Sequence, residues 1–141
     1  MNTYTFEEIE ISQKINFTYE LNEEKMEMFK KITGDENPLH NDLQYAMDSG
    51  YPEKVVYGML TSAILSTLAG MYMPGKYSLI HKIEINYLKP VYISKCPLQV
   101  EAEVTEKDDR FQIIKIKYLI KDSENNKVSK GTMRIGFTNK I

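Results

Sequence analysis

The sequence predicts an α+β domain in which an antiparallel sheet wraps around one long central helix. Two observations support this fold class. Residues 57–73 form a long, mainly apolar stretch, as expected of a buried helix. Much of residues 79–137 alternates between apolar and polar side chains, which is typical of strands with one buried face. No repeat, linker or low-complexity tract divides the sequence, so residues 1–141 are predicted to form a single domain.

Each element of this fold has its own signal. Residues 14–21 (KINFTYEL) alternate in polarity and predict a strand. Asn22 is suited to cap the helix that follows, and Gly34 is suited to end it. The stripe of this helix that is predicted to face the core consists of Met26, Phe29 and Ile32.

Two further helices are predicted in the middle of the chain. Residues 41–49 are expected to form a short helix that closes at Gly50. Residues 57–73 form the central helix, which Pro74 and Gly75 end. Its predicted apolar surface consists of Met59, Leu60, Ala63, Ile64, Leu68 and Met71.

Four strands are predicted in the second half, with hairpin turns at residues 107–110 and 123–126. His81 falls on the apolar face of the first of these strands, so it is interpreted as an interior or interface histidine. The side chains predicted to face the core are Leu79, His81, Ile83, Ile85, Tyr87, Leu98, Val100, Ala102, Val104, Ile114, Ile116, Tyr118, Ile120, Met133, Ile135 and Phe137.

Composition limits the classes of function. The chain has 141 residues and a net charge of −2, so no overall basic field favours nucleic-acid binding. Its single cysteine, Cys96, excludes an intrachain disulfide and a cysteine-built zinc site. The N-terminus does not resemble a signal peptide, and residues 55–73 are too polar for a confident membrane span. We therefore expect a cytoplasmic protein without a membrane partner.

The strongest functional signal is the segment GDENPLH, residues 34–40. Pro38 interrupts a regular helix and restricts the residue before it, so Asp35 and His40 are predicted to lie on a shaped loop. A carboxylate and an imidazole without a metal-ligand cluster are suited to moving protons to and from a bound substrate. The simpler interpretation is that Asp35 and Asn37 only form a turn and that His40 is a surface histidine.

The residues around this segment resemble the MaoC-like dehydratase family, which includes the (R)-specific enoyl-CoA hydratases. The resemblance lies in TGDENPLHNDLQYA (33–46), SGYPEKVVYGMLTSAIL (49–65) and IEINYLKPVY (83–92), and it covers nearly the whole chain. It implies the hot-dog fold, an antiparallel sheet wrapped around a long central helix. It also implies a homodimer, which in some members assembles further.

The resemblance further implies a reaction: reversible hydration of a trans-2-enoyl-CoA to an (R)-3-hydroxyacyl-CoA. Asp35 and His40 would be the catalytic pair that holds one water molecule. The backbone N–H of Gly58, at the start of the central helix, would donate to the thioester oxygen. The CoA thioester is the substrate, so no cofactor and no metal are expected.

Four other residues are predicted to support this site. Asn37 would brace the loop, and Ser62 or Ser66 would hydrogen-bond the thioester or orient the catalytic pair. Tyr57 stands where many family members carry His or Pro, and it is expected to alter the shape of the pocket. The alternative interpretations are structural: the two serines allow close helix packing, and Gly58 allows the helix to approach the sheet.

Three other functions share parts of this pattern. A dehydratase that acts on acyl carrier protein would use the same catalytic pair. A hot-dog thioesterase would need an acidic residue on or near the central helix, and residues 57–73 contain none. A binding protein would take up the ligand without turnover. The expected partners are therefore an acyl-CoA or acyl carrier protein thioester and a second copy of the chain.

Overall fold

The computed structural model describes residues 1–139 and confirms the α+β architecture. Residues 140 and 141, which the single-domain prediction includes, lie outside the described range. The elements in chain order are β1 (Lys14–Tyr19), α1 (Glu23–Thr33), α2 (Pro38–Asn41), α3 (Leu43–Asp48), α4 (Gly58–Thr67), β2 (Ser78–Tyr87), β3 (Leu98–Asp108), β4 (Ile113–Lys121) and β5 (Lys127–Phe137).

The five strands form one antiparallel sheet in the order β1-β3-β4-β5-β2. The two predicted hairpins are β3–β4 and β4–β5. Their turns cover residues 109–112 and 122–126, close to the predicted positions. The sheet order leaves β1 and β2 as its edges.

The core lies between α4 and one face of the sheet. Every side chain predicted to face the core in β3, β4 and β5 is buried, which confirms the alternation there. Burial of a large apolar side chain stabilises the fold by roughly 1.5–3 kcal/mol. The central helix contributes Ile64, Leu65, Leu68 and Ala69 to this core.

The central helix begins at Gly58 with Tyr57 as its N-cap residue. It is regular to Thr67, and residues 68–72 continue it as one wider π-helical turn. The buried surface is narrower than predicted, because Met59 and Met71 are exposed.

Helix α1 has the predicted ends but a different buried stripe. Asn22 accepts a hydrogen bond from the Lys25 N–H at 2.9 Å, and Gly34 ends the helix in the left-handed region, at φ 74°. Met26 is buried, but the prediction for Ile32 is wrong, since its side chain is 81% exposed. Six residues advance an α-helix by about 600°, so Ile32 points about 120° away from Met26.

The segment predicted as one helix at residues 41–49 contains the end of α2 and all of α3. Asp42 separates the two helices with an extended backbone, and its carboxylate accepts a hydrogen bond from the Tyr45 N–H at 3.0 Å. Asp42 thus caps α3, which explains why one helix does not run through the segment.

The predicted inward face of β2 is wrong over part of its length. The register with β5 shifts between Ile80 and Lys82, so the alternation is offset there. Ile80 and Ile85 pack against the core, while Leu79 and His81 are exposed. His81 is therefore not an interior histidine.

Candidate active site

The loop between α1 and α2 is shaped by its own polar side chains. The carboxylate of Asp35 accepts a hydrogen bond from the Asn37 N–H at 3.0 Å. The side-chain oxygen of Asn37 accepts one from the Leu39 N–H at 2.9 Å and caps α2. Both are local turn contacts, as expected of a residue that braces the loop.

Tyr57 ties this loop to the start of α4. Its hydroxyl donates to the backbone carbonyl of Asp35 at 2.6 Å and accepts from the side-chain amide of Asn41 at 3.0 Å. Its buried ring lies 4.2 Å from the ring of His40, centroid to centroid. Tyr57 thus contacts both members of the predicted pair, the backbone of Asp35 and the ring of His40.

The orientation of His40 follows from one hydrogen bond. Its Nδ1 lies 2.7 Å from the backbone carbonyl of Val55. A carbonyl oxygen only accepts, so Nδ1 carries the proton and donates it. In the neutral ring, Nε2 then holds the free lone pair and is the atom that can accept a proton.

A cavity of about 320 Å³ lies beside the first turn of α4. We call it the helix-end cavity. It brings His40 and Gly58 together, as predicted. Asp35 and Ser66 do not line it, and both residues are exposed. The residues around the cavity are His40, Tyr51, Val55, Val56, Gly58, Thr61, Tyr87, Leu88, Lys89, Pro90, Val91 and Val128.

Gly58 offers an unpaired backbone donor at the cavity. The N–H groups of Leu60 and Thr61 both donate to the carbonyl of Tyr57, whereas the Gly58 N–H donates no hydrogen bond within residues 1–139. The start of a helix also carries partial positive charge. A negatively charged oxygen is therefore favoured at this position.

Close packing is a second reason for glycine at position 58. A Cβ placed there would lie 3.2 Å from Cε1 of Tyr87. The Tyr87 hydroxyl lies 2.5 Å from the hydroxyl of Ser62, which also donates to the Gly58 carbonyl at 3.1 Å. The Ser62 hydroxyl therefore holds Tyr87 over Gly58, and its predicted contact with a thioester stays a prediction.

Thr61 is a feature of this site that sequence reasoning missed. It lies within residues 57–73, where Tyr57, Gly58, Ser62 and Ser66 are the predicted site residues. In the structure it is buried and lines the helix-end cavity. Its position three residues after Gly58, on the same face of the helix, is the signal that was available.

The other reactive side chains of the described residues do not form a metal site or a second catalytic site. Within residues 1–139, no three His, Cys, Asp or Glu side chains are placed to hold a metal ion. Burial raises the pKa of the Cys96 thiol, which makes it a poor nucleophile. No helix in the described part of the chain is long and apolar enough to cross a membrane.

The fold and the site define a class of protein. The protein has the hot-dog fold, since a five-stranded antiparallel sheet packs against a central helix. The cavity lies at the start of that helix. Residues 5–126 match the family described as "MaoC like domain". The chain belongs to the MaoC-like dehydratase family, and it is an enzyme of the hydratase and dehydratase type.

Three similar proteins illustrate this membership. An (R)-specific enoyl-CoA hydratase of Aeromonas caviae is 29% identical over 97 residues, which cover 69% of this chain and 72% of that protein. The solved structure of R-hydratase PhaJ1 from Pseudomonas aeruginosa has a TM-score of 0.86 at 26% identity and covers 96% of this chain and 86% of that one. A mitochondrial 3-hydroxyacyl-[acyl-carrier-protein] dehydratase of Solanum lycopersicum is 31% identical over 66% of this chain, which spans about half (52%) of that protein.

Proposed function

We propose that this protein catalyses reversible hydration of a trans-2-enoyl-CoA to an (R)-3-hydroxyacyl-CoA. One observation carries the proposal: a single cavity holds the His40 ring, with Nε2 free to accept a proton, and Gly58, whose N–H is unpaired among the described residues. The matched relatives named as (R)-specific hydratases support the same reaction.

Proton transfer in this reaction needs two groups. The water oxygen bonds to C3 of the enoyl group, one proton of that water is taken up, and a proton is delivered to C2. We assign this exchange to His40 and Asp35, acting on one water molecule. The Asp35 carboxylate is exposed and accepts from the Asn37 N–H, so this assignment requires it to leave that contact and turn toward the cavity.

Charge develops on the thioester oxygen as water adds to C3. We assign its stabilisation to the Gly58 N–H, where the positive end of α4 meets a partly enclosed site. The wall formed by Val55, Val56, Val91 and Val128 is apolar, which strengthens such an electrostatic interaction.

The test is hydration of crotonyl-CoA, followed by loss of the enoyl absorbance. No cofactor is added, because water and the CoA thioester are the only reactants proposed. We expect turnover and an (R) product by chiral analysis. An (S) product, or a turnover no higher than that of the Asp35→Asn variant, would reject the assignment. A series of acyl chain lengths then defines the preferred substrate.

The second candidate is the same chemistry on an acyl carrier protein thioester. The similarity to the Solanum lycopersicum dehydratase supports it, and Lys89 beside the cavity is a positive charge that suits an acidic carrier. Rates with crotonyl-CoA and crotonyl carrier protein at equal concentration decide between the carriers. A higher kcat/KM for the carrier protein would replace the CoA assignment.

We also propose that two copies pair along β2. This strand is an edge of the sheet, and open edges are usually covered. Exposed apolar side chains are also present on the central helix, at Met59 in α4 and at Met71 in the π-helical turn that follows it. Sedimentation should give twice the 16.4 kDa chain mass, or a multiple of that dimer. A monomer would contradict the pairing. The cytoplasmic location stays a prediction.

A further inference from the structure

The hydroxyl of Thr61 is buried without a hydrogen-bond partner. The residue is 2% exposed, and its Oγ1 contacts no donor or acceptor in residues 1–139. Buried hydroxyls are rarely left in this state, because losing water without gaining a partner costs stability. An unsatisfied group that persists in a cavity wall therefore points to an interaction made with a bound molecule.

The local backbone explains why Thr61 has no internal partner. A helical threonine usually bonds the carbonyl four residues earlier, which here belongs to Tyr57. That carbonyl already accepts the N–H groups of Leu60 at 3.0 Å and Thr61 at 3.1 Å. Both of its lone pairs are thus occupied. The adjacent Ser62 differs, since its hydroxyl donates to the carbonyl of Gly58 at 3.1 Å.

The position of Thr61 indicates what its hydroxyl can reach. Thr61 and Gly58 line the same cavity and lie three residues apart on one face of α4. Side chains on a helix lean toward its N-terminus, so the Thr61 side chain lies over the turn that begins at Gly58. The oxygen itself is covered in the structure, so its hydroxyl reaches the cavity only after a rotation about Cα–Cβ to another staggered position.

We propose that the Thr61 hydroxyl donates a second hydrogen bond to the thioester oxygen, beside the Gly58 N–H. This inference rests on the proposed hydration, in which that oxygen gains negative charge. Two donors aimed at one oxygen are a common arrangement for such a charge. The hydroxyl keeps its proton throughout, and no covalent step involves it. In this proposal Thr61 is a catalytic residue that stabilises the negative charge on the thioester oxygen, whereas Asp35 and His40 transfer protons.

The first test compares Thr61→Val, which removes the hydroxyl and keeps the shape, with Thr61→Ser, which keeps the hydroxyl. We expect Thr61→Val to lower kcat by about 100-fold with little change in KM, and Thr61→Ser to retain most of the activity. The melting temperature of Thr61→Val should not fall, because the lost hydroxyl had no partner. Thr67→Val, in the same helix and away from the cavity, is the matched control.

The second test does not depend on turnover. Butyryl-CoA carries the same thioester but cannot be hydrated, and hydrogen bonding to its ¹³C-labelled carbonyl lowers the C=O stretching frequency. The frequency should rise when Thr61→Val replaces the wild type and stay unchanged in Thr67→Val. An active wild type with no such rise would overturn the role of Thr61 alone. An inactive wild type that shows the rise would overturn hydration alone. Failure to bind butyryl-CoA would overturn both.

Discussion

Two regions of the molecule each bury a side-chain oxygen, but only one of them supplies hydrogen-bond partners for it. These regions are the turn between β4 and β5 and the wall of the helix-end cavity. At the turn, the carboxylate of Asp122 is 4% exposed and accepts from the backbone N–H groups of Glu124 and Asn126, at 2.9 and 3.0 Å. The Asn126 side-chain amide donates to both of its oxygens. At the cavity, the Thr61 hydroxyl is as buried but has no partner in the described residues.

This difference separates polar groups that stabilise the fold from those that serve a ligand. Each donor at the Asp122 turn is satisfied internally, so the turn joins two core strands without needing a bound molecule. The Thr61 hydroxyl and the Gly58 N–H are left unsatisfied within residues 1–139, and both residues line the helix-end cavity. Variants in the two regions should therefore affect different measurements.

The largest effect is expected from the catalytic pair. Asp35→Asn and His40→Ala should each lower kcat for crotonyl-CoA hydration at least ~100-fold, about 2.7 kcal/mol in activation free energy, because each removes one proton-transfer group. The unfolding free energy of Asp35→Asn should change little, since Asp35 is exposed. His40→Ala also loses the hydrogen bond to the Val55 carbonyl and the contact with the Tyr57 ring, so it should cost about 1 kcal/mol of stability as well. Kinetics and denaturant unfolding on the same preparations measure both quantities.

Asp109→Asn is the matched control for the charge change at Asp35. Asp109 is an exposed carboxylate in the turn between β3 and β4, outside the helix-end cavity. It should leave kcat unchanged. Equal loss of activity in Asp109→Asn and Asp35→Asn would show that net charge, and not the pair, controls the rate.

The second effect belongs to stability. Asp122→Asn replaces one acceptor oxygen by a donor that faces the Asn126 amide. It should lower the unfolding free energy by about 1–3 kcal/mol, the usual cost of losing a charged hydrogen-bond acceptor in a buried site. Hydration kinetics should be unchanged. A loss of kcat without a loss of stability would contradict the division between the two regions.

The contribution of Asp122 to the free energy of unfolding should also depend on pH. Burial raises the pKa of Asp122, but the hydrogen bonds from Asn126 and the Glu124 N–H outweigh it and hold the pKa below its usual 3.8. The unfolded state then binds the proton more tightly, so the stabilisation is fully present above the unfolded pKa and lost as the pH falls through the folded one. The stability difference between wild type and Asp122→Asn should therefore be constant near neutral pH and shrink below 3.8.

The same two regions show what sequence reasoning can reach. Two short-range signals were informative. The segment GDENPLH contains His40, which lines the helix-end cavity, although His40 lies in α2 and not on the predicted loop, and Asp35 does not line the cavity. Alternation located the buried faces of β3, β4 and β5. The register shift between Ile80 and Lys82 in β2 was not predicted, because it depends on pairing with β5, about 50 residues later.

Two features of the site, the unsatisfied Thr61 hydroxyl and the contact of Tyr57 with Asp35, depend on three-dimensional contacts that the sequence does not reveal. Whether the Thr61 hydroxyl is satisfied depends on which N–H groups occupy the Tyr57 carbonyl, and residue order alone does not reveal that. The role of Tyr57 as a tie to Asp35 depends on a contact between residues 22 positions apart. The family resemblance marked Tyr57 only as a departure, since many members carry another residue there.

The smallest effect is expected from Tyr57→Phe, which tests the tie between the loop and α4. The variant loses the hydrogen bonds to the Asp35 carbonyl and from the Asn41 amide but keeps the ring contact with His40. We expect a stability loss of about 1 kcal/mol and a several-fold lower kcat, because the catalytic loop is held less firmly.

Tyr118→Phe is the matched control. It removes a buried hydrogen bond between the hydroxyls of Tyr118 and Ser129, at 3.0 Å within the sheet. It should cost similar stability and leave kcat unchanged. If both variants lower kcat equally, the kinetic loss reflects general destabilisation, and Tyr57 has no specific part in placing Asp35.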